Sequence, residues 1–383
     1  MLISGTEKLA YEERLSLCIK DESGLPVINP VPTDRLVIGI LPGEGVGPEL
    51  ITVVRRLLSI IAEHWNITLD VSIGGDIGTI SESSSGESLT REVIEFCQGI
   101  HDDGGVLLCG PGGGRFVYDL RRQFDLFCKL TPIQPFECVR DAGPLRPESV
   151  EGVDMIVVRE NTSGLYFSEG VLTNDEAIHT FRNRRSEITR ILQVAINLAK
   201  QRRGSLALAV KTSAIKEASQ LWSSIFEELT EGEALEASIL QVDNANYQII
   251  ANARDFDVLV APNMFGDILS DGAALLLGSR GMSFSGNYSS QGMAVYQTAH
   301  GAAYDLAGAD TANPIGQILS AAMMLRESFG LFDQARAIET AVDAVVSAGI
   351  RTPDIASQGS QIVGTSEMGR LICESLTSAL NSE

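Results

Sequence analysis

The sequence predicts an α/β fold built on a largely parallel β-sheet. Short runs of apolar residues alternate with segments of helical periodicity, and strands that are apolar throughout are typical of a sheet covered on both faces. These runs cover residues 36–41, 106–108, 155–158, 206–210 and 258–261. The chain has 383 residues, of which 44% are hydrophobic and 21% are charged, so it can bury the cores of two domains.

The predicted elements follow one another along the chain. Residues 1–34 are predicted to be an N-terminal extension, because their end is rich in Gly and Pro, which break regular structure, and the sequence leaves open whether it packs on the body. The first strand, residues 36–41, leads into a Gly-rich turn and a helix. The Ser-rich stretch 81–88 is predicted to be a loop. The C-terminal part is predicted to be mostly helical, with residues 315–329 the clearest helix.

The composition excludes several classes of protein. The formal net charge is -21, and so acidic a surface repels a phosphate backbone, so we expect no nucleic-acid partner. No apolar run reaches the length of about 18 residues that a membrane helix needs, and the N-terminus lacks a signal-like apolar run. Scattered cysteines without a CxxC pair indicate a reducing compartment. We therefore expect a cytoplasmic protein that does not bind membranes.

The turn after the first strand has the sequence GEGVGPE. It differs from the G-x-G-x-x-G pattern of dinucleotide-binding turns, because Pro48 stands where the last glycine is expected. It also lacks the Gly-Lys-Ser/Thr of a phosphate-binding loop. Taken by itself, the turn is either a structural tight turn or part of a cofactor site, and both interpretations stay open.

Two carboxylates four residues apart are the first indication of chemistry. If residues 268–277 are helical, Asp267 and Asp271 lie near one face at the start of that helix. Neighbouring carboxylates repel each other unless a cation lies between them, and hard oxygen ligands suit Mg²⁺ or Mn²⁺. The alternative is that one carboxylate caps the helix and the other faces solvent.

Several segments, in the same order along the chain, resemble the β-decarboxylating dehydrogenases. This family contains isocitrate, 3-isopropylmalate, homoisocitrate, tartrate and D-malate dehydrogenases. The resemblance runs from about residue 36 to the C-terminus. The segments that carry it are LPGEGVGPE, DLRRQFDLFCKLTP, DMIVVRENTSGLYF, AVKTSAI, VDNANYQI, NMFGDILSD and HGAAYDLAGADTANP.

The resemblance implies a fold different from the Rossmann type, with two α/β domains and a central cleft between them. It implies a discontinuous cofactor-binding domain made of residues 35–126 and 278–383. Residues 127–277 would form the central domain, which binds substrate and makes a homodimer. In the family, each active site borrows residues from the partner subunit.

The resemblance also implies metal ligands and catalytic residues. Asp267 and Asp271 match two metal carboxylates of one subunit, and Asp243 matches the third, which the neighbour supplies. Lys211 matches the neighbour's lysine that helps to remove the proton of the 2-hydroxyl group, and Tyr166 matches the tyrosine that protonates the enol after decarboxylation. The alternatives are that Lys211 is an ordinary surface lysine and that Tyr166 is a core residue.

The substrate-binding residues are predicted to be arginines. Arg121 and Arg159 match two of the arginines that hold the substrate's carboxylates, although either could form a structural ion pair instead. A second family arginine falls at Thr131, so the substrate cannot be assigned as isocitrate or isopropylmalate. We expect Arg115 to offset this loss by binding the substituent on C3 of the substrate. The alternative is that Arg115 pairs with Asp119.

A loop near the C-terminal third resembles the family's adenosine site. His300 and Asn313 match positions that contact adenine, and Gly301 follows in the same motif. Asp305 stands where NAD users have an aspartate that accepts hydrogen bonds from the ribose hydroxyls, and a carboxylate there would repel the 2′-phosphate of NADP. The cofactor is therefore expected to be NAD.

These expectations combine into one activity. The chain is predicted to carry out NAD-dependent, Mg²⁺- or Mn²⁺-dependent oxidative decarboxylation of a 3-substituted malate, a small anionic hydroxy acid, to a 2-oxo acid. The alternative is a non-catalytic regulatory or binding subunit on the same fold, which the loss of an arginine at Thr131 favours. Retention of the three aspartates, the lysine and the tyrosine favours the enzyme.

Overall fold

The computed structural model of the protein describes residues 34–382. They form a mixed α/β fold in which helices pack on a ten-stranded sheet. The central strands, such as the one over Met155–Glu160, are buried at every residue, so the sheet is covered on both faces. The prediction of an α/β fold is confirmed. The predicted extension, residues 1–34, lies outside the described residues except for its last residue.

The strands include all of the predicted apolar runs. In chain order they are β1 (Arg35–Leu41), β2 (Thr68–Ile73), β3 (Val106–Cys109), β4 (Cys128–Ile133), β5 (Met155–Glu160), β6 (Glu169–Leu172), β7 (Ala177–Thr180), β8 (Ser205–Val210), β9 (Glu236–Gln241), β10 (Val258–Ala261), β11 (Phe284–Tyr288), β12 (Ala294–Thr298), β13 (Ile350–Arg351) and β14 (Gln361–Ile362).

The large sheet has the strand order β2-β1-β3-β12-β11-β4-β5-β10-β8-β9. Pairs towards both edges are parallel, whereas β11 is antiparallel to β12 and β4, and β4 is antiparallel to β5. The short connection between β11 and β12 allows only an antiparallel pair, because a parallel pair needs a long crossover. The sheet is therefore largely parallel, as predicted, but its centre is antiparallel.

The order of the strands separates two parts of the chain. In the large sheet, the strands from residues 35–109 and 284–298 lie on one side of the boundary between β11 and β4, and β4, β5, β8, β9 and β10 lie on the other, whereas β6 and β7 form a separate two-stranded sheet. This grouping has the same order as the predicted discontinuous and central domains. The exact division into 35–126 with 278–383 and 127–277 stays a prediction.

The helices fill the connections between the strands. They are α1 (Gly47–His64), α2 (Gly78–Ser85), α3 (Arg91–Asp102), α4 (Phe116–Gln123), α5 (Pro147–Val150), α6 (Arg185–Gln201), α7 (Lys216–Thr230), α8 (Val242–Ala251), α9 (Asn263–Ala273), α10 (Ile315–Phe329), α11 (Phe332–Ser347) and α12 (Thr365–Leu380). The bounds of α10 are those that were predicted, and the C-terminal part is mostly helical, as expected.

The prediction of a loop over residues 81–88 is wrong for most of that stretch, because helix α2 continues to Ser85. Serine hydroxyls in this short helix donate to backbone carbonyls one turn back, as the Ser83 hydroxyl does to the Thr79 carbonyl oxygen at 2.7 Å. The helix ends at Gly86, whose φ of 83° suits glycine. Serine composition alone does not reveal these local bonds.

Helix α9 also starts earlier than predicted. It begins at Asn263, directly after Pro262, and not at residue 268. Asp267 and Asp271 therefore lie inside the helix, one turn apart, and not at its start. Residues 274–277 form a 3₁₀ turn that follows the helix. The expectation that the two carboxylates share one face of a helix still holds.

Two further findings concern the cysteines and the length of the helices. The described cysteines, at positions 97, 109, 128, 138 and 373, are all free thiols. Within residues 34–382, every helix is too short or too polar to cross a membrane.

Candidate active site

A cavity of about 140 Å³ lies at the central strands of the large sheet. Side chains from α4, β4, β5, α9 and the end of β12 converge on it. Its lining residues are Pro111, Gly112, Val117, Tyr118, Arg121, Lys129, Arg159, Asp267, Gln297, Thr298, Ala299, His300 and Gly301. Three of these residues are basic and one is acidic, so the cavity is electrostatically suited to a small anion.

Arg159 is fixed in place by helix α9. It is the fifth residue of β5 and is 2% exposed. Its guanidinium donates to the Oδ1 atom of Asn263 from Nε at 3.0 Å and from Nη2 at 2.8 Å, while Nη1 bonds to the carboxylate of Asp267. Gly266 allows this approach, because a Cβ atom there would lie 2.9 Å from the Arg159 side chain. One strand and one helix thus orient the guanidinium.

Tyr166 and Asp267 form the polar pair beside Arg159. The Tyr166 hydroxyl donates to the Oδ2 atom of Asp267 at 2.9 Å. Burial, together with the charge of Asp267, raises the pKa of Tyr166 to about 12. Burial alone would raise the pKa of Asp267, but the charges of Arg159 and Lys129 outweigh it and hold that pKa below its ordinary value. At neutral pH the pair is a protonated phenol next to an ionised carboxylate.

Asp271, the second predicted metal ligand, pairs with a residue that sequence reasoning missed. The Nη2 atom of Arg280 forms an ion pair with the Oδ2 atom of Asp271 at 2.9 Å. Asp267 and Asp271 lie on one face of α9 with partly exposed side chains. Carboxylate oxygens in this arrangement are the donors that Mg²⁺ or Mn²⁺ prefers.

Lys211 and Asp243 lie apart from the cavity. Lys211 follows β8, Asp243 is in the first turn of α8, and the Lys211 ammonium is 2.5 Å from the Oδ1 atom of Asp243. The hydrogen bond from Lys211 lowers the pKa of the Asp243 carboxyl. No cluster of three potential His, Cys, Asp or Glu ligands occurs anywhere in residues 34–382. The described part of one chain thus does not bring Asp243 together with Asp267 and Asp271.

Arg121 and Lys129 bring two more positive charges into the cavity. Each is 4% exposed. Burial and the charge of Arg159 lower the pKa of Arg121 to about 9. Burial, followed by the charges of Arg159 and Arg121, lowers the pKa of Lys129 to about 7. Sequence reasoning missed Lys129, although a lysine within the otherwise uncharged strand CKLTPI was a signal that could have revealed it.

Arg115 does not line the 140 Å³ cavity, and its proposed contact with the C3 substituent stays a prediction. It directly precedes α4, and its Nε atom is 3.9 Å from the Oδ1 atom of Asp119, one turn further along the same helix face. Its side chain is 59% exposed. The structure therefore shows the alternative pairing with Asp119. Arg121 belongs to the same helix, but it projects from a different face.

The predicted cofactor residues come together around a second cavity of about 420 Å³. His300 and Gly301 line this cavity and the 140 Å³ cavity, so the two adjoin. The other lining residues are Val46, Ser279, Arg280, Gly281, Ala303, Asp305, Leu306, Thr311, Ala312, Asn313 and Asp354.

The polar groups of this second cavity have different surroundings. Burial lowers the pKa of His300, so its imidazole is neutral at neutral pH. Asn313 is held firmly, because its Oδ1 atom accepts from the amide of Ile315 at 2.9 Å and its Nδ2 atom donates to Asp354 at 3.1 Å. Asp305 is exposed on the loop. A neutral ring, an oriented amide and a free carboxylate can together recognise a nucleoside.

The Gly-rich turn is both a tight turn and a wall of the second cavity. Gly45 has a φ of 57°, and a Cβ atom there would lie 2.0 Å from the carbonyl oxygen of Ala302. The amide of Val46 donates to that oxygen at 2.9 Å, and Val46 lines the cavity. Glu44 is 1% exposed and accepts hydrogen bonds from the amide of Gly113 and the hydroxyl of Tyr304. The turn therefore joins the loops that border both cavities.

Comparisons with known proteins agree with this geometry. Residues 37–372 match the family model described as isocitrate/isopropylmalate dehydrogenase. The chain is 39% identical to a 3-isopropylmalate dehydrogenase of Bacillus licheniformis, over 85% of this chain and 91% of that protein. It is 38% identical to one of Prochlorococcus marinus, over 88% of this chain and 99% of that protein.

A solved structure matches the fold as well. The crystal structure of isocitrate dehydrogenase from Methylococcus capsulatus is 29% identical and superposes with a TM-score of 0.77, covering 90% of this chain and 99% of that chain. These matches confirm the family and the fold expected from the sequence motifs. The chain belongs to the isocitrate/isopropylmalate dehydrogenase family.

Proposed function

We propose that the protein is an NAD-dependent dehydrogenase that oxidises and decarboxylates a 3-substituted malate to a 2-oxo acid, with Mg²⁺ or Mn²⁺ bound. One observation carries the proposal: a small cavity with buried basic residues adjoins both the Tyr166–Asp267 pair and a larger cavity lined by the predicted adenosine residues. The cationic cavity suits the dicarboxylate, and the larger cavity suits the cofactor.

Arg121 and Arg159 bind the carboxylates of the hydroxy acid. A guanidinium presents parallel N–H groups that match the two oxygens of a carboxylate. Arg159 is oriented by Asn263, which fixes the plane of its guanidinium before the substrate arrives. Such preorganisation favours the reacting geometry because no reorientation is needed during the reaction.

Tyr166 supplies a proton late in the reaction. When the bond between C3 and the carboxylate breaks, CO₂ leaves and the electron pair forms an enolate of the 2-oxo acid. The Tyr166 hydroxyl gives its proton to C3, which yields the product. Its raised pKa keeps the phenol protonated until that step, and its hydrogen bond to Asp267 orients the hydroxyl.

The metal and the cofactor complete the chemistry. A divalent cation held by Asp267 and Asp271 would acidify the 2-hydroxyl group and stabilise negative charge on its oxygen, and NAD would accept the hydride from C2. Lys211 and Asp243 of a second copy would complete each site, with Lys211 taking the hydroxyl proton. Asp305 favours NAD over NADP through repulsion of the 2′-phosphate.

A homodimer with shared sites is part of the same proposal. Exposed apolar side chains occur on the β6–β7 hairpin and on helices α8 and α9, and such patches mark protein interfaces. They are Val171, Leu172, Ile178, Tyr247 and Ile268. Tyr247 lies one turn after Asp243 on α8, and Ile268 adjoins Asp267 on α9. Burial of this apolar surface between two copies would draw α8 and α9 into the interface.

The test is NADH formation across a panel of 3-substituted D-malates with Mg²⁺ or Mn²⁺. We expect turnover of at least one member, and its loss in the Asp267→Asn variant, because an amide cannot balance the cation as a carboxylate does. Folded wild-type protein that turns over no member would contradict the enzymatic proposal. It would favour the alternative of a regulatory or binding subunit.

A further inference from the structure

We propose that Lys129 is a substrate-binding residue whose ammonium group binds a carboxylate of the hydroxy acid between Arg121 and Arg159. It would thereby replace the arginine that the family resemblance expects at Thr131. This inference rests on the proposed function, because it assigns the ligand of the same cavity. Three observations support it: the register of β4 with β5, the burial of the basic side chains in the cavity, and the ion pairs that the nearby aspartates form with other arginines.

The strand register places Lys129 directly against Arg159. Strands β4 and β5 are antiparallel, and Lys129 is the residue paired with Arg159. Residues paired in this way project from the same face of a sheet, and two like charges in such a pair repel each other. Both side chains line the 140 Å³ cavity, so the repulsion is concentrated there. An anion between them would turn it into attraction.

Burial makes the need for an anion stronger. Lys129 and Arg121 are each 4% exposed. Among residues 34–382, neither side chain has a hydrogen-bond acceptor or a carboxylate partner, and the Nε atom of Arg121 is buried without an acceptor. A buried charge without a partner is strongly unfavourable. A carboxylate in the cavity would satisfy both cations at once.

The nearby carboxylates of Asp267 and Asp271 form no close ion pair or hydrogen bond with Lys129. Asp267 already bonds to Arg159 and to the Tyr166 hydroxyl. Asp271 pairs with Arg280 at 2.9 Å. Lys129 therefore forms a close ion pair with neither aspartate, although both attract its charge at longer range. Burial, followed by the charges of Arg159 and Arg121, lowers the pKa of Lys129 to about 7, and a bound carboxylate would raise that pKa and keep the ammonium charged.

Thr131, where the family resemblance expects an arginine, lies on the same face of β4 as Lys129. Successive odd positions of β4 project from the same face, so Thr131 and Lys129 share the face that carries Arg159. Thr131 is 1% exposed, and its hydroxyl is buried without a hydrogen-bond partner. A cation two residues away on the same strand face can reach the same small cavity from a different direction.

The experiment moves the charge along the strand. Lys129→Met keeps the length of the side chain and removes its charge, Lys129→Arg keeps the charge, and Lys129→Met with Thr131→Arg relocates it. We expect Lys129→Met to raise the KM for the acid by about tenfold or more and to leave the KM for NAD unchanged, because one charge-assisted contact is lost. Lys129→Arg should stay close to wild type, and Thr131→Arg should restore part of the lost affinity.

A control variant and a second measurement make the result decisive. Lys200 pairs with Glu233 outside the cavity, so Lys200→Met should leave the KM for the acid unchanged. Thermal unfolding of each variant checks that it folds. A Lys129→Met variant that folds with a wild-type KM, or a loss of affinity that Thr131→Arg does not restore at all, would overturn the proposal.

Failure of the proposed function can be told apart from failure of this inference. Calorimetric binding of D-malate without NAD needs no turnover. If the wild-type protein turns over no malate but binds D-malate, and Lys129→Met weakens the binding while Thr131→Arg restores it, the role of Lys129 stands without the reaction. If D-malate binds equally to wild type and to Lys129→Met, or does not bind at all, the inference is wrong.

Discussion

Replacing Tyr166 by phenylalanine isolates the one hydroxyl group to which the mechanism assigns a proton transfer. The change removes the hydrogen bond of 2.9 Å to Asp267 and leaves the ring in place. The ring packs edge-on against Tyr118, with centroids 5.6 Å apart, and this contact does not involve the hydroxyl. We therefore expect the folded structure to persist.

The structure sets the size of the two effects. Loss of one hydrogen bond at a half-buried site should lower the free energy of unfolding by about 0.5–1.5 kcal/mol. Loss of a positioned general acid should lower kcat by about 10²–10⁴-fold, which corresponds to a barrier higher by about 3–5 kcal/mol. The effect on turnover should thus exceed the effect on stability.

The assay compares kcat at saturating acid and NAD with the midpoint of thermal unfolding. Tyr118→Phe is the matched control, because Tyr118 lines the same cavity and loses only a hydroxyl group without an assigned proton transfer. A kcat of Tyr166→Phe within a few-fold of wild type, or an equal loss in Tyr118→Phe, would refute the assignment of Tyr166 as the proton donor.

Three further predictions concern the cofactor, the dimer and pH. Wild-type protein should prefer NAD to NADP, and Asp305→Lys should narrow the preference, as the ratio of the two kcat/KM values will show; a wild-type preference for NADP would contradict the role of Asp305. Mixing inactive Lys211→Ala and Asp267→Asn chains should restore activity, because one site of each hybrid dimer keeps both residues; no recovery after verified subunit exchange would mean that sites are not shared. D-malate binding to metal-free protein, measured calorimetrically, should weaken as the pH rises through about 7, because Lys129 then loses its proton. The Lys129→Arg variant should lose this pH dependence. An unchanged pH profile of binding in that variant would exclude Lys129 as the cause.

Continuous apolar runs and contiguous motifs could be interpreted from the sequence. β10 and the first four residues of β5 are buried and apolar, and these runs identify both segments as strands. The cofactor residues lie mainly on one loop, and neighbours in sequence stay neighbours in space. His300, Gly301 and Asp305 therefore line one cavity together.

Side-chain direction could not be predicted in the same way. Arg115 and Arg121 are six residues apart, and only the start of α4 decides that Arg121 enters the cavity while Arg115 pairs with Asp119. The role of Arg115 in substrate binding therefore stays a prediction. Lys129 was missed because its position depends on the antiparallel register of β4 with β5, which involves residues far apart in sequence.

Other features depend on partners that one chain does not supply. Lys211 and Asp243 bond to each other outside the cavity, so their predicted contribution needs a second copy of the chain. Sequence motifs give the identity of such residues, whereas their geometry in the proposed homodimer stays a prediction.

The most direct test of the account measures NADH and CO₂ together from a 3-substituted D-malate with Mg²⁺. We expect the protein to release the two products in equal amounts, an excess of chelator to stop the release of both, and the Asp267→Asn variant to form neither. NADH without CO₂, or full turnover in excess chelator, would contradict the claim that this protein is a metal-dependent decarboxylating dehydrogenase.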